Sequence, residues 1–318
     1  MFTDPSFGRP MPIRDAMYPA ESGNGYALRM VVENGMAYSD LTNSLVSLGH
    51  RYLPHSAARA IAFWFGGDPV AVVQAIPSSF RRDGHSVTSF MGHVFTRPYH
   101  IRFTRPQVCV RCLEELGFAS AAWELSLVTA CPRHHLVLVD QCAQCHRIIS
   151  WRRPDLWTCH CGAAFSSAVP QNAIAEEVWF SQRLEDLLFR RFVEYEGHDL
   201  VRRILTAFEL DVLLRVVRAF GISVGARERD MVPGRLTRVL KSVDAHAVIC
   251  RAFSRLRSIT EGINDELSPA VHLKELGGMT EEVVSREALM LVEILNRVVP
   301  NDANGRSPCA ESTQLRLF

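Results

Sequence analysis

Apolar positions recur at helical spacing near the start of the chain and again after Ile174, while between them regular periodicity gives way to paired cysteines. Leu28, Val31 and Val32 predict a helix over Tyr26 to Asn34, closed by Gly35, and Leu41, Leu45 and Leu48 predict a second over Ser39 to Leu48. A further pair follows. Ser56 to Phe65 reads as a helix, Gly66 and Gly67 as a turn, and Asp68 with Pro69 as the cap and first turn of a helix reaching about Ile76. Helix, glycine turn, helix is the outline of a helix-turn-helix, and equally of an ordinary helical hairpin. Pro5, Pro10, Pro12 and Pro19 predict an extended lead before these helices.

After Ile174 the pattern is helical again. Leu184, Leu187, Leu188 and Val193 mark one helix, and the apolar positions from Leu200 to Phe220 mark one or two more. Further helices are expected over Arg235 to Val243, His246 to Arg257 and Glu281 to Val299, ahead of a tail from Pro300 that reads as mobile. No solenoid repeat is visible. The expected fold is mainly α with small zinc-knuckle modules. Its parts are an extended lead (1–20), a helix-turn-helix-like region (21–105), a double metal-binding module (106–168), a helical bundle (172–299) and the tail (300–318).

Composition adds constraints. At 318 residues, 47% hydrophobic and 22% charged, the chain can bury a real core. A formal charge of +1 excludes strong attraction to polyanions by the molecule as a whole, so nucleic-acid binding would need locally clustered charge. Ser79 to Arg111 offers such a cluster. Arg81, Arg82, Arg97, Arg102, Arg105 and Arg111 accumulate there among Phe90, Phe95, Tyr99 and Phe103, with only Asp83 opposing them. This composition suits a DNA-tracking surface, and also a solvated loop whose arginines pair with distant carboxylates. Lys241 and Lys274 are the only lysines. No stretch has the length of a membrane span and the N-terminus lacks a basic-then-apolar leader, so a cytoplasmic protein without membrane contacts is expected.

Cysteine spacing is the most specific signal. Cys109-x-x-Cys112, Cys131-x-x-His134, Cys142-x-x-Cys145 and Cys159-x-Cys161 give eight ligands in four pairs, with 18 residues between the first two pairs and 13 between the last two. A tight turn presents both members of a pair to one ion, and two such turns close a tetrahedral site. The expected sites are Cys109, Cys112, Cys131 and His134 for one zinc ion, and Cys142, Cys145, Cys159 and Cys161 for a second; a cross-braced pairing stays open. His135, His146 and His160 are neighbouring substitutes, and His134 keeps the regular gap. Cys250 reads as a core thiol and Cys309 as a tail thiol. Four protein ligands per ion leave no position for water or substrate, which marks structural rather than catalytic zinc. The common signatures of metalloproteases, P-loop enzymes, serine hydrolases and zinc deaminases are missing, so no enzyme is expected. Trp123, Leu125, Leu127 and Val128 supply apolar side chains over which the metal loops can fold.

Taken in order, Cys109-Val-Arg-Cys112-Leu113, Trp123-Glu-Leu125, Cys131-Pro132-Arg-His134, Cys142-Ala-Gln-Cys145 and Cys159-His-Cys161-Gly162 resemble the TniQ family. Glu21-Ser22 with Tyr26 to Arg29 resembles the family's opening, although glycine, asparagine and tyrosine stand where a serine-tryptophan helix is usual. The resemblance runs from about Glu21 to Phe165. It implies an adaptor for target-site selection in DNA transposition, with no catalytic residues. The implied partners are DNA, met directly or through an RNA-guided complex, an AAA+ ATPase regulator and, through it, a transposase; self-association stays open. The competing readings are a zinc-dependent transcriptional regulator with the same DNA-binding parts, and a hydrolase using one zinc.

Overall fold

The computed structural model describes residues 8–45, 53–222 and 240–261. The chain divides into two compact units, the first made of Met1–Phe192 with Thr237–His246, the second of Val193–Leu236 with Ala247–Phe318.

The first unit opens with a lead that is extended, as the prolines require, but fastened. Met11 and Asp15 donate backbone hydrogen bonds to the carbonyls of Trp64 and Phe65 at 3.0 and 2.9 Å. Helix α1 (Gly23–Glu33) begins at Ser22, whose hydroxyl accepts from the Gly25 amide. Gly23 meets the end of a later helix so closely that a Cβ would lie 2.7 Å from the Ala75 carbonyl oxygen, so glycine is required there. Helix α2 (Tyr38–Leu45) follows. A 3-10 turn (His55–Ala57) leads into α3 (Ala58–Phe65), which ends on Gly66 in the left-handed region at φ +85°. Asp68 caps α4 (Pro69–Ala75) by accepting from the Ala71 amide, with Pro69 in the first turn as its chemistry predicts.

Strands then appear where the periodicity marks none. β1 (Ser78–Arg82), β2 (His85–Phe90) and β3 (His93–Phe95) form an antiparallel meander in that order. Two-residue turns at Asp83-Gly84 and Met91-Gly92 join them, all four residues having φ between +50° and +79°. Only Val87, Thr88, Phe90 and Phe95 are buried, and β1 is largely exposed along its length, so the apolar alternation that betrays a half-buried strand is missing from it.

The chain continues through helix α5 (Val110–Leu116), which ends at left-handed Gly117, and a 3-10 turn (Ala121–Glu124), then through loops to α6 (Ala175–Leu188). The expected divide between a helical region and a cysteine module is not a divide between compact units. Trp123, Leu125, Leu127 and Val128 are buried as expected, but Ile101 bridges Leu125, the Ser126 amide donates to His100 and the Arg102 amide donates to Glu124, so one core serves both. Helix α6 also belongs to this unit rather than to the C-terminal bundle. Its Ser181 hydroxyl accepts from the Thr129 and Ala130 amides, and its buried Glu177 accepts from the Thr129 hydroxyl and pairs with His246 at 2.8 Å. Burial of these polar groups selects the first unit as their home.

The second unit contains α7 (Leu200–Leu205), capped by Asp199, α8 (Leu210–Gly221) and the part of α9 (Ser242–Thr260) from Ala247 onward. α8 buries Leu213, Leu214, Val216, Val217 and Phe220. Its end approaches α9 so nearly that a Cβ on Gly221 would collide with the Val248 carbonyl. Arg251 and Arg255 of α9 donate to the carbonyls of Gly221, Phe220 and Ile222, satisfying the acceptors that a helix C-terminus leaves open. Leu240 and Lys241 are not helical, and Cys250 is half-buried on α9. The rest of the helix expected before Leu240, the helix over Glu281 to Val299, the tail and Cys309 lie outside the described residues.

Candidate metal centres and basic surface

The four cysteine pairs come together in chain order. Cys109, Cys112, Cys131 and His134 form one cluster and Cys142, Cys145, Cys159 and Cys161 another, with the ligand atoms of each within 4.8 Å of one another. The cross-braced pairing is therefore not adopted.

Local backbone explains why the turns present their side chains so closely. Cys109 stands at the N-cap of α5, and the first helical turn brings Cys112 back beside it. At the second pair the His135 amide donates to the Cys131 carbonyl and the Cys131 amide to Leu136, while His135 takes φ +54°. The third pair repeats this geometry, with His146 at φ +55° donating to Cys142 and the Cys142 amide donating to Arg147. At the fourth, Gly162 at φ +88° donates to Cys159, which donates to Ala163. His135 and His146 thus serve as left-handed corner residues, exposed and outside the clusters, and the exposed His160 ring meets Arg147 at 2.9 Å.

The donor spacing fits a metal ion. Tetrahedral zinc with bonds of ~2.3 Å to sulfur sets its sulfurs roughly 3.8 Å apart. Cys142 and Cys161 stand 3.8 Å apart, as do Cys145 and Cys159. In the first cluster Cys112 lies 3.4 Å from Cys131, and the three sulfurs lie 3.2 to 3.5 Å from His134 Nδ1. The outward Nε2 of His134 meets Glu115 at 2.8 Å, and Glu115 also pairs with Arg133 at 2.9 Å. A carboxylate on the far nitrogen is the usual device for directing Nδ1 inward. Crowding also drives the thiols apart in acidity. The sulfurs of Cys109 and Cys131 hold Cys112 far above the usual thiol range, while hydrogen bonds from Cys109 and Cys112 draw Cys131 down to about 2. In the second cluster, burial raises Cys142 but the amides of Cys145 and Gln144 outweigh it and leave it at about 7, whereas burial pushes Cys159 up to about 12. A dication resolves this competition by replacing the shared protons. Soft thiolates with imidazole are the donor set for zinc rather than for calcium or magnesium.

The expected basic strip is dispersed. Arg81 and Arg82 are exposed at the end of β1, and Arg111 is exposed on α5 between two cluster cysteines. Arg97 and Arg105 are half-buried. Arg102 must be removed from the strip because its side chain is fully buried. It donates to the carbonyls of Arg105 and Leu240 and pairs with Asp140 at 2.9 Å. Asp140 also accepts from the Ser242 amide, and the Ser242 hydroxyl donates to Gln107, so Arg102 fastens residues 240–242 rather than facing solvent. The helical hairpin exists, but α4 carries no basic side chain and begins behind an acidic cap.

Two groups of residues with clear roles escape sequence reasoning. Glu21 is buried and pairs with Arg29 at 2.9 Å; Arg29 also binds Asp15 at 2.7 Å and lies over the rings of Tyr18 and Tyr26. Ser22 donates to the buried carboxyl of Glu124, whose acidity burial weakens to about 8. The Glu21-Ser22 opening and the Trp123-Glu124-Leu125 stretch are therefore two halves of one buried polar junction. A lone carboxylate in an apolar stretch was the available signal.

No described helix is long and apolar enough to cross a membrane. No curated protein matches the chain. Residues 12–138 match the TniQ family profile, a span that contains α1 to α5, the sheet, the polar junction and the whole first cluster, and stops before the second. By that match the chain carries a TniQ-family domain over residues 12–138 and is a transposition-associated protein.

Proposed function

We propose that the protein is a target-selection adaptor in DNA transposition, joining a DNA target, met directly or through an RNA-guided complex, to an AAA+ ATPase regulator and so to a transposase. The observation that carries this reading is the TniQ match enclosing a complete three-cysteine, one-histidine cluster. Zinc is the proposed ion at both clusters. It would be held by Cys109, Cys112, Cys131 and His134, and by Cys142, Cys145, Cys159 and Cys161. Its chemistry there is cross-linking of distant turns. The protein residues do the rest: the left-handed corners aim the sulfurs, Glu115 orients His134, and the junction of Glu21, Ser22 and Glu124 fixes α1 against the loop leading to the first cluster. Because each cluster supplies four donors, no open coordination position is needed and the proposed role is not catalytic. The proposed setting is the cytoplasm, where thiols stay reduced for metal binding.

The test is co-purification of the full chain with an AAA+ ATPase of its own host, together with a transposition assay in which the chain is deleted. Stable capture and loss of targeted insertion are expected. Random insertion frequency and target choice both unchanged on deletion would overturn the adaptor role.

A further inference from the structure

The proposed function leaves open which surface meets DNA, and the structure narrows the choice. The helix after the glycine turn is a poor reader: α4 is Pro-Val-Ala-Val-Val-Gln-Ala, without a cation, behind Asp68. Beside it the hairpin of β1 and β2 has a different character. Ser79 to Arg82 and His85 to Ser86 are exposed, so the end of this ribbon stands in solvent on both faces. Its register places Arg82 opposite His85 on one face and Arg81 opposite Ser86 on the other. A cation therefore projects to each side of a two-stranded ribbon. Binding to a flat acidic surface would use one face only, whereas a hairpin that enters a groove by its tip turns its two faces to the two phosphate-lined walls.

The hairpin is also preorganised. The Asp83-Gly84 turn takes the two successive left-handed conformations that match strand twist, and five residue pairs fix the ladder behind it. Arg82 has only Asp83 as an ion-pair partner among the described residues, at 3.8 Å; with the two side chains 68% and 90% exposed, that pair is weak and available for exchange. Phe80, 42% exposed, lies on the same face as Arg82 and offers apolar contact to a sugar edge or thymine methyl.

We infer that the β1–β2 hairpin enters a groove of double-stranded DNA, with Arg81 and Arg82 contacting phosphates on opposite sides. This rests on the adaptor reading, since it names the DNA-facing element of that role. The test measures binding of the full chain to a mixed-sequence duplex by fluorescence anisotropy across a salt series, alongside capture of the AAA+ ATPase. The Arg81→Ala, Arg82→Ala double variant should bind about tenfold more weakly at moderate salt, with a log–log salt slope shallower by about two. It should keep its circular dichroism, its metal content and its hold on the ATPase. Asp83→Asn should tighten binding by removing the one acid at the tip. Unchanged affinity and slope in the double variant would overturn the inference. So would loss of ATPase capture with DNA binding intact, which would make the strand a protein-docking edge. A wild-type chain that captures the ATPase but binds no duplex even at low salt would sink the hairpin inference and spare the adaptor; capture of neither would sink both.

Discussion

The two cysteine clusters have the same number of donors and nearly the same turn geometry, yet they sit in different physical surroundings. In the first, all three cysteines are buried, His134 is 9% exposed, and Glu115 braces the imidazole from outside. The isolated bridges and turns around it lead into the main core: Val108 bridges Val139, Ala130 bridges Val137, and Trp123, Leu125 and Val128 are buried in the loop between its two halves. In the second, Cys161 is exposed and Cys145 half-exposed, and the ligands come from loops rather than a helix start. Its own small core is Ile149, Trp151, Leu156 and Phe165, with buried Arg153 packed on two of those rings. Equal donor number therefore does not imply equal consequence. An ion in the first cluster would hold the core of the unit together, and an ion in the second would hold a local loop system.

The comparison breaks most visibly at the ligands. Cys112→Ser should abolish the cooperative thermal transition of the first unit, because a structural zinc contributes on the order of 10 kcal/mol and this cluster is continuous with the core. Circular dichroism melting of the full chain checks this, and a retained transition at the wild-type temperature would remove the distinction. Cys161→Ser should do less: one metal equivalent is lost while the main transition survives at a lower temperature, as paired metal analysis and calorimetry would show.

A smaller effect isolates the polar junction. Glu124 keeps its proton in the fold, so its contribution is full below the unfolded value of 4.5 and is lost as pH rises through about 8. Glu124→Gln, which keeps the shape and the bond to Ser22 while removing the charge, should gain a few kcal/mol relative to wild type above pH 8 and flatten the stability profile between pH 5 and 8. Parallel denaturant titrations across that range decide it; parallel curves for the two proteins would exclude a buried neutral carboxyl.

The smallest effect sharpens the account of the first cluster alone. Glu115→Gln should weaken its metal affinity by roughly 10- to 100-fold without altering the second cluster, since it disturbs only the orientation of His134. Competition with a chromophoric chelator would resolve the two sites, and equal weakening at both would contradict the assignment.

How far the sequence speaks depends on how local the determining contact is. The metal pairs were legible because each lies within one turn, and α4 was legible because Asp68, Pro69 and the glycines preceding them act on adjacent residues. Their grouping into two clusters also followed chain order. β1 was not legible, because an edge strand exposed on both faces carries no alternation; the Asp83-Gly84 pair was the sole local sign of a hairpin. Arg102 pairs with a distant carboxylate, as one of the two readings of the strip allows, but its burial is not legible because Asp140 and the Leu240 carbonyl lie 38 and 138 positions away. Glu124 was passed over for the same reason, its partner Ser22 being 102 positions distant. Composition could assign arginines to a stretch of chain but not to an inside or an outside.

The most direct test of the central claim is native mass spectrometry of the full chain, purified under reducing conditions without chelator, followed by stepwise chelation. Two zinc ions per chain are expected, the first lost from Cys142, Cys145, Cys159 and Cys161 with little change in the main fold, and the second lost only as the first unit unfolds. A chain that holds no zinc and still melts cooperatively would contradict that claim.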